Sequence, residues 1–167
     1  GLSIPVNPPR ELGWYQRRKS THFKHYNELS GELAKLIDLD PWMLQVNTEV
    51  LFDCDLGFPE NRDKAAQKAQ LMLDKMKEDY RIRDIKDDPV LFIKNNSGTY
   101  GLAVAMVKSG DEILSWNSKA RTKMKAAKGG NGVTELLFQE GIPSALKVDG
   151  ATCEPAIYLL GCELAGG

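Results

Sequence analysis

The amino-acid sequence predicts an α/β fold of the α+β kind, in which a mostly antiparallel sheet is flanked by helices. Apolar residues at helical spacing dominate the chain up to residue 88, and short apolar runs that are typical of strands follow. The runs at 90–93 and 102–107 are separated by a short glycine-containing loop, which predicts an antiparallel hairpin. We therefore expect residues 1–88 to form an N-terminal arm and a helical region with a possible short strand, and residues 89–167 to carry most of the sheet.

The first helix is predicted to begin near Ser20 or Thr21, because either residue can cap a helix N-terminus. Residues 1–13 contain three of the eight prolines, which favours an extended arm. After the helix ends at Asp40 and Pro41, the sequence predicts a packed but irregular connection and then a short strand at 50–52. The helix is predicted from apolar residues at steps of three and four, namely Phe23, Tyr26, Leu29, Leu33, Leu36 and Ile37.

A second amphipathic helix is predicted after the turn at Gly57, with Asn61 or Asp63 as its cap. Steps of three and four residues give this helix an apolar side that runs for about five turns. The residues on that side are Ala66, Ala69, Leu73, Met76 and Tyr80.

A third helix is predicted from Ser109, and further strands are predicted at 134–138, 154–160 and 162–165. The helix ends in a lysine-rich turn, which is either a solvated positive helix end or a surface that steers phosphate groups. Its inward-facing residues are predicted to be Ile113, Trp116, Ala120 and Met124.

Composition argues against several classes of protein. The 22 basic and 23 acidic residues nearly cancel, so no overall field attracts nucleic acid or anionic membrane, and nucleic-acid binding is not expected. No apolar run approaches the ~20 residues of a membrane helix, and the start lacks the apolar region of a secretion signal, so we expect a soluble, cytoplasmic protein. The three cysteines lack metal-ligand or disulfide spacing. Because the chain starts at Gly1 and stops after a strand-like run, we expect a piece of a longer protein.

Residues 89–101 are the strongest candidate for a site. A short strand delivers Lys94 to a polar loop, and Gly98 and Gly101 allow the backbone N–H groups of that loop to approach an anion closely. The simpler interpretation is a strand, a solvated lysine and a hairpin turn. The loop matches neither the Walker nor the Rossmann phosphate motif. A lysine on a strand can still bind phosphate oxygens as a point charge, which predicts a nucleoside triphosphate site.

Several separated motifs in order resemble the proteobacterial-type glutamate-cysteine ligases, which have an ATP-grasp architecture. The similarity extends from about Gly13 to Gly167, and no single motif carries it alone. The resemblance implies that residues 89–167 form an ATP-grasp nucleotide-binding subdomain, incomplete at its C-terminal end. The segments that carry it are 13–23, 40–42, 98–101, 117–124, 139–141 and 154–167.

The resemblance implies an ATP-dependent ligase that phosphorylates the γ-carboxylate of glutamate and then joins it to the amine of cysteine, in glutathione biosynthesis. Lys94 would bind the phosphates of ATP, and a mobile loop of Ser97, Gly98, Thr99, Tyr100 and Gly101 would close over them. Gln139, Glu140 and Ile142 would line the adenine, mainly through backbone groups. The expected partners are therefore glutamate, cysteine and ATP, with Mg²⁺ as cofactor.

This chain departs from the family pattern at two points. No residue of the chain is assigned as a metal ligand, and the Mg²⁺ ligands are expected beyond Gly167. Asn95, Asn96 and Ser97 precede the glycine loop without an acidic residue, which leaves the loop less charged, and we expect the loop to remain a usable anion cradle. The alternative to a ligase is therefore a non-catalytic ATP-binding module or fragment.

A second candidate site is the basic segment at the start of the first helix. Arg17, Arg18 and Lys19 precede or begin the helix, where the helix dipole adds to their attraction for a substrate carboxylate or phosphate, and His22 follows on the first turns. The alternative is a solvated helix entry. Glu154, at the start of the strand predicted at 154–160, either faces the cleft or marks the solvent edge of the sheet. The sequence leaves the oligomeric state open.

Overall fold

The computed structural model describes residues 17–97, 101, 103–125 and 134–167. Their main sheet has four strands in the order β1-β4-β2-β3, and every neighbouring pair is antiparallel. The strands are β1 (Thr48–Leu51), β2 (Leu91–Asn95), β3 (Val104–Val107) and β4 (Leu136–Glu140). This confirms a mixed α/β fold with antiparallel sheets and the predicted hairpin of β2 and β3. Because β1 pairs with β4, the sheet draws on residues from both sides of position 88.

Helix α2 (Pro59–Ile82) covers one face of this sheet and supplies much of the core. All of the residues predicted to face inward on it are buried, together with Ala65 and Met72. They pack against Leu91 and Ile93 of β2 and Phe138 of β4. The predicted caps Asn61 and Asp63 are wrong, because the helix begins earlier, at Pro59, whose fixed φ angle suits a first helical position.

Helix α1 (Lys19–Leu36) was predicted correctly as an element, but it packs through a different face from its leucines. Its buried residues are Ser30 and Ala34, whereas Leu29 and Leu36 are 66% and 83% exposed. The Asn27 side chain ties this small-residue face to the body, because its Nδ2 donates to Val46 O and its Oδ1 accepts from Val46 N, both at 2.9 Å. The apolar spacing therefore identified the helix without identifying its packed side.

The segment after β3 forms two short helices, α3 (Gly110–Leu114) and α4 (Ser118–Met124), and the single helix predicted there is wrong. Asn117 causes the break, since its Oδ1 accepts a hydrogen bond from Ala120 N at 2.9 Å and so caps a new helix. Ile113 and Met124 are nevertheless buried as predicted.

Two small hairpins end the chain. The first joins β5 (Lys147–Val148) to β6 (Ala151–Thr152), and the second joins β7 (Tyr158–Leu160) to β8 (Glu163–Gly166). The predicted strand at 154–160 is therefore shorter than expected, and the last predicted strand pairs with it. The first hairpin was missed, although Asp149 and Gly150 at its turn have the positive φ angles of 51° and 80° that Asp-Gly sequences favour. Within the described ranges, no helix is long and apolar enough to cross a membrane.

Candidate functional site

Lys94 lies on the face of the sheet opposite α2. Leu91 and Ile93 point into the core, and because side chains alternate along a strand, Lys94 points to the other side. Its Nζ donates a 2.7 Å hydrogen bond to Gln139 Oε1 on β4 and lies 5.3 Å from the centre of the Phe92 ring. Burial lowers the pKa of Lys94, and the carboxylate of Glu154 partly opposes that effect. The result is a half-buried ammonium group whose hydrogen-bond partner is a neutral amide.

The start of α1 lies beside this strand, so the structure brings the two sequence-predicted sites together. Lys19 Nζ donates to the backbone oxygen of Asn95, the residue after Lys94, at 2.7 Å. Burial lowers the pKa of Lys19, and the positive charge of Lys94 lowers it further. Arg18 Nε forms an ion pair of 3.1 Å with Glu135, just before β4. The basic segment and the strand-borne lysine therefore belong to one cationic region.

Asn95 to Ser97 form the first part of the predicted anion-binding loop, and their backbone N–H groups are not directed at a ligand. These groups already donate within the protein, to Ala103 O, Glu135 O and Asn95 Oδ1 respectively. Positive charge in this region therefore comes from lysine side chains. Gly101 has a φ angle of 67° and open space around it, as a turn requires. The predicted loop residues Gly98, Thr99 and Tyr100 lie outside the described residues.

Gln139 and Glu140 are neighbours on β4 but point to opposite faces. Gln139 contacts Lys94, whereas Glu140 is buried on the α2 side. Glu140 Oε2 accepts from both the backbone N and Nδ2 of Asn47, at 3.2 and 2.9 Å, and Oε1 accepts from the Tyr80 hydroxyl at 3.5 Å. Its backbone N–H also donates to Asn47 O. The side chain and the backbone N–H group of Glu140 are thus hydrogen-bonded within the protein.

The residues after Glu140 lead away from β4 past the second strand. Gly141 N donates to Val90 O at 2.9 Å. A Cβ atom at this position would lie 2.4 Å from Val90 Cγ2, so only glycine fits here. Ile142, which was predicted to line an adenine, follows directly and is 60% exposed. Gly141 is therefore held beside the start of β2, and the side chain of Ile142 is exposed.

The remaining predicted residues lie at different distances from Lys94. Glu154 is exposed in an irregular segment between β6 and β7, and its negative charge acts to raise the pKa of Lys94. Arg17 is exposed just before α1. His22 is also exposed, and its ring stacks on Tyr26 at 6.4 Å. Lys19 and Glu154 therefore join the Lys94 region, and no described contact links His22 to it.

Sequence reasoning missed the roles of Asn96 and Glu135. Asn96 is buried, and its Nδ2 donates to Glu135 Oε2 at 2.9 Å and to Ser20 Oγ at 3.0 Å. Two consecutive asparagines after a strand indicated only a turn. Because the contacts to Ser20 and Glu135 join residues 76 and 39 positions apart, no local pattern could have shown them.

The described residues also limit what this region can hold. Half-buried ammonium groups suit phosphate or carboxylate oxygens, which fits a nucleoside triphosphate. Within the part of the chain that the structure describes, no group of three or more His, Cys, Asp or Glu residues lies close enough to bind a metal ion.

Comparisons with known proteins place the chain in a family. The family model described as GshA, glutamate-cysteine ligase, matches residues 1–167. None of the curated proteins matches significantly. A crystal structure from Methylobacillus flagellatus KT, of a protein provisionally assigned as a gamma-glutamylcysteine synthetase, is 36% identical with a TM-score of 0.75. The match covers 84% of this chain and 33% of that one, so the chain spans about a third of the matched protein. The chain therefore belongs to the GshA glutamate-cysteine ligase family.

Proposed function

We propose that this chain supplies the ATP-phosphate-binding part of an ATP-dependent ligase that joins glutamate to cysteine. Residues 89–167 form part of an ATP-grasp nucleotide-binding subdomain, to which the start of α1 adds charge. Family membership supports the reaction class. The observation that carries the site assignment is the placement of Lys94 beside Lys19 on the face of the sheet opposite α2.

The electrostatics of the two lysines favour an anionic ligand. Burial disfavours the charged form of an amine, and a second positive charge disfavours it further. A triphosphate in this position would relieve both penalties, because its oxygens accept hydrogen bonds from ammonium groups and neutralise their charge. Gln139 presents a neutral oxygen to Lys94, which phosphate oxygens can replace without breaking an ion pair.

The proposed reaction has two steps. The γ-carboxylate oxygen of glutamate attacks the terminal phosphorus of ATP, which forms an acyl phosphate and releases ADP. The amine of cysteine then attacks the acyl carbon, which forms the amide bond, and phosphate and a proton leave. In this scheme Lys94 neutralises phosphoryl oxygens and holds them in place, which is the main requirement of such catalysis.

The other predicted residues are assigned from their positions. Lys19, Arg18 and Arg17 extend the cationic region toward a substrate carboxylate, and Glu154 faces it as a candidate contact for the glutamate or cysteine amine. The assignment of His22 to substrate binding has the least structural support, because its described ring contacts are to aromatic neighbours.

The nucleotide contacts in this proposal lie around Lys94. Gln139 and Ile142 flank the proposed nucleotide on one side, and the segment 97–101 is proposed to cover the phosphates. The contribution of Glu140 to adenine binding is limited to its backbone carbonyl group. Mg²⁺ bound to the triphosphate would neutralise phosphoryl charge, and we assign no described residue as its ligand.

A thermal unfolding experiment tests the nucleotide site. ATP with Mg²⁺ is expected to raise the melting temperature of the wild type, and Lys94→Ala is expected to abolish that rise. Lys77→Ala, at an exposed lysine on α2, is the matched control and should leave the rise unchanged. An equal rise in wild type and Lys94→Ala would contradict the assignment.

A second assay separates a ligase from a non-catalytic ATP-binding module. ADP release is measured in the presence of glutamate and cysteine, and with each amino acid alone. Release that depends on glutamate supports the ligase, whereas ATP binding without glutamate-dependent release supports the non-catalytic module.

A further inference from the structure

Helix α1 begins without a capping side chain of its own. Its N-cap residue, Arg18, makes no side-chain cap hydrogen bond. The first N–H groups of a helix lack partners within the helix and need acceptors from elsewhere. In α1 the acceptors belong to Asn96, whose backbone oxygen accepts from Lys19 N and whose Oδ1 accepts from Ser20 N, both at 2.9 Å. The predicted caps Ser20 and Thr21 are therefore wrong, and Asn96 caps the helix from a distant strand end.

The amide of Asn96 is fully used by these contacts. Its Nδ2 donates to Ser20 Oγ and to Glu135 Oε2, and its backbone N–H donates to Glu135 O. The residue is 1% exposed. A buried polar group with all of its partners in place specifies a single arrangement of the segments that it joins. Asn96 thus fixes the start of α1, the end of β2 and the residue before β4 relative to one another.

This fixed arrangement determines where the basic side chains lie. Lys19 is the first residue of α1, and its Nζ reaches the oxygen of Asn95 at 2.7 Å, next to Lys94. Arg18 is held by Glu135, the same carboxylate that accepts from Asn96. Each of these positions depends on the helix start remaining against the end of β2.

We infer that Asn96 is a positioning residue that caps α1 and thereby holds the Lys19 ammonium group beside Lys94, so that the two lysines form one anion site. This inference rests on the proposed function, because the anion is taken to be the triphosphate of ATP. All of the described contacts of Asn96 are with protein groups. Its effect on the ligand therefore acts through Lys19 and Arg18.

The test compares two asparagine variants that both loosen α1. Asn96→Ala removes the side-chain half of the cap, namely the Oδ1 acceptor of Ser20 N and the Nδ2 contacts to Ser20 Oγ and Glu135, and keeps the backbone acceptor of Lys19 N. Asn27→Ala removes a similar pair of links to Val46 farther along the same helix, and it serves as the matched control. Both variants are expected to lower the melting temperature. Only Asn96→Ala is expected to weaken ATP binding, by about tenfold in Kd, because it displaces a charged contact.

A second readout does not depend on ATP. The pKa of Lys19 is measured by NMR in the wild type and in both variants, without ligand. In Asn96→Ala we expect it to rise toward the ordinary lysine value of about 10.4, as the amine moves into water and away from Lys94. In Asn27→Ala it should stay lowered. If Asn96→Ala does not fold, Ser20→Ala is measured instead. This variant removes the hydroxyl oxygen that accepts a hydrogen bond from Asn96 Nδ2, and it should weaken ATP binding about threefold.

The outcomes separate the inference from the proposed function. Equal losses of ATP affinity in the Asn96 and Asn27 variants, or an unchanged Lys19 pKa in Asn96→Ala, would overturn the positioning role. A wild type that does not bind ATP, together with a Lys19 pKa that rises only in the Asn96 variant, would support the positioning role and refute ATP as the anion.

Discussion

Lys94 on β2 and Gln139 on β4 are joined by a 2.7 Å hydrogen bond across the sheet, from the ammonium group to the amide oxygen. A neutral acceptor at this point leaves the positive charge of Lys94 available for an anion. The same position on β4 therefore controls how strongly Lys94 can interact with a phosphate group.

Replacing Gln139 by glutamate should convert this contact into an ion pair. We expect Gln139→Glu to weaken ATP binding by at least about tenfold, because the new carboxylate competes with phosphate for Lys94 and repels it. Binding is measured by calorimetric titration. Gln67→Glu adds the same charge at an exposed position on α2 and should leave the affinity unchanged, and a similar loss in both variants would count against the Lys94 site.

The lowered pKa of Lys94 predicts a pH dependence of stability. Since the folded-state pKa lies below the ordinary value of 10.5, the unfolded chain binds more protons between the two values. The free energy of unfolding of the wild type should therefore rise relative to Lys94→Met as pH climbs through the folded pKa toward 10.5. Denaturant unfolding of both proteins at several alkaline pH values measures the difference, and a constant difference would contradict the prediction.

The affinity for ATP should respond to pH in the opposite direction. Binding needs the charged ammonium group, so affinity should fall as pH rises through the same window. Lys94→Arg keeps its charge at these pH values and should show a smaller loss than the wild type. A titration series from neutral to alkaline pH, compared at constant ionic strength, tests this.

Glu140 should matter for stability rather than for the ligand. Glu140→Ala leaves Asn47 and Tyr80 without their buried acceptor, and we expect it to cost about 2 kcal/mol of unfolding free energy. Glu140→Gln keeps an oxygen and most of the volume and should cost less. In thermal scans at saturating ATP, both variants should retain the shift seen in the wild type. Loss of that shift in a folded Glu140→Gln protein would show that the Glu140 side chain contributes to ATP binding and would contradict this prediction.

A side chain at position 141 should destabilise the protein, because the space next to Gly141 is filled by Val90. Gly141→Ala places a Cβ within 2.4 Å of Val90 Cγ2 and 3.1 Å of Val90 O, and we expect a loss of about 1–3 kcal/mol from the resulting overpacking. Gly161→Ala is the control, since that glycine has a φ angle of 62° but open space around it. It should cost about 1–2 kcal/mol through its backbone alone. Chemical denaturation measures both, and only Gly141→Ala should also alter ATP affinity.

The cysteines should differ sharply in reactivity. Cys54 is buried, and burial, with a smaller contribution from Asp55, raises the pKa of its thiol to about 11. Cys162 is exposed. Because the thiolate is the reactive form, iodoacetamide at pH 8 should modify Cys162 in the native protein and leave Cys54 intact until the protein unfolds. Mass spectrometry of the labelled peptides gives the order of modification.

Local sequence patterns predicted most of the helices and strands, but they were less successful at predicting how these elements pack against one another. Helix α2 was predicted together with its buried face, because its apolar residues all pack on the sheet. Helix α1 shows the limit of the same argument, since its leucines are exposed and it packs through Ser30 and Ala34. The spacing of apolar residues shows that one face of a helix is apolar, but it does not show which face packs against the rest of the protein.

The candidate site shows a similar division. Lys94 and Lys19 were singled out from residue type and position, and Gln139 from the family resemblance. In the structure Lys94 contacts Gln139, and Lys19 contacts the residue that follows Lys94. At the start of the predicted anion-binding loop, the N–H groups of Asn95, Asn96 and Ser97 are used by hydrogen bonds to Ala103, Glu135 and Asn95 itself. Ala103 and Glu135 reach these positions through the pairing of β2 with β3 and β4, and Glu135 lies 39 positions from Asn96, so no local sequence pattern shows these partners.

The distant cap of α1 also orders the events of folding. Among the described residues, the N–H groups of Lys19 and Ser20 at the start of the helix donate to Asn96, and Asn96 is in turn held by Glu135. Both acceptor residues follow α1 in the chain, so α1 is synthesised before either of them. We therefore expect the first turn of α1 to gain its cap late in folding, after β2 and β4 have paired.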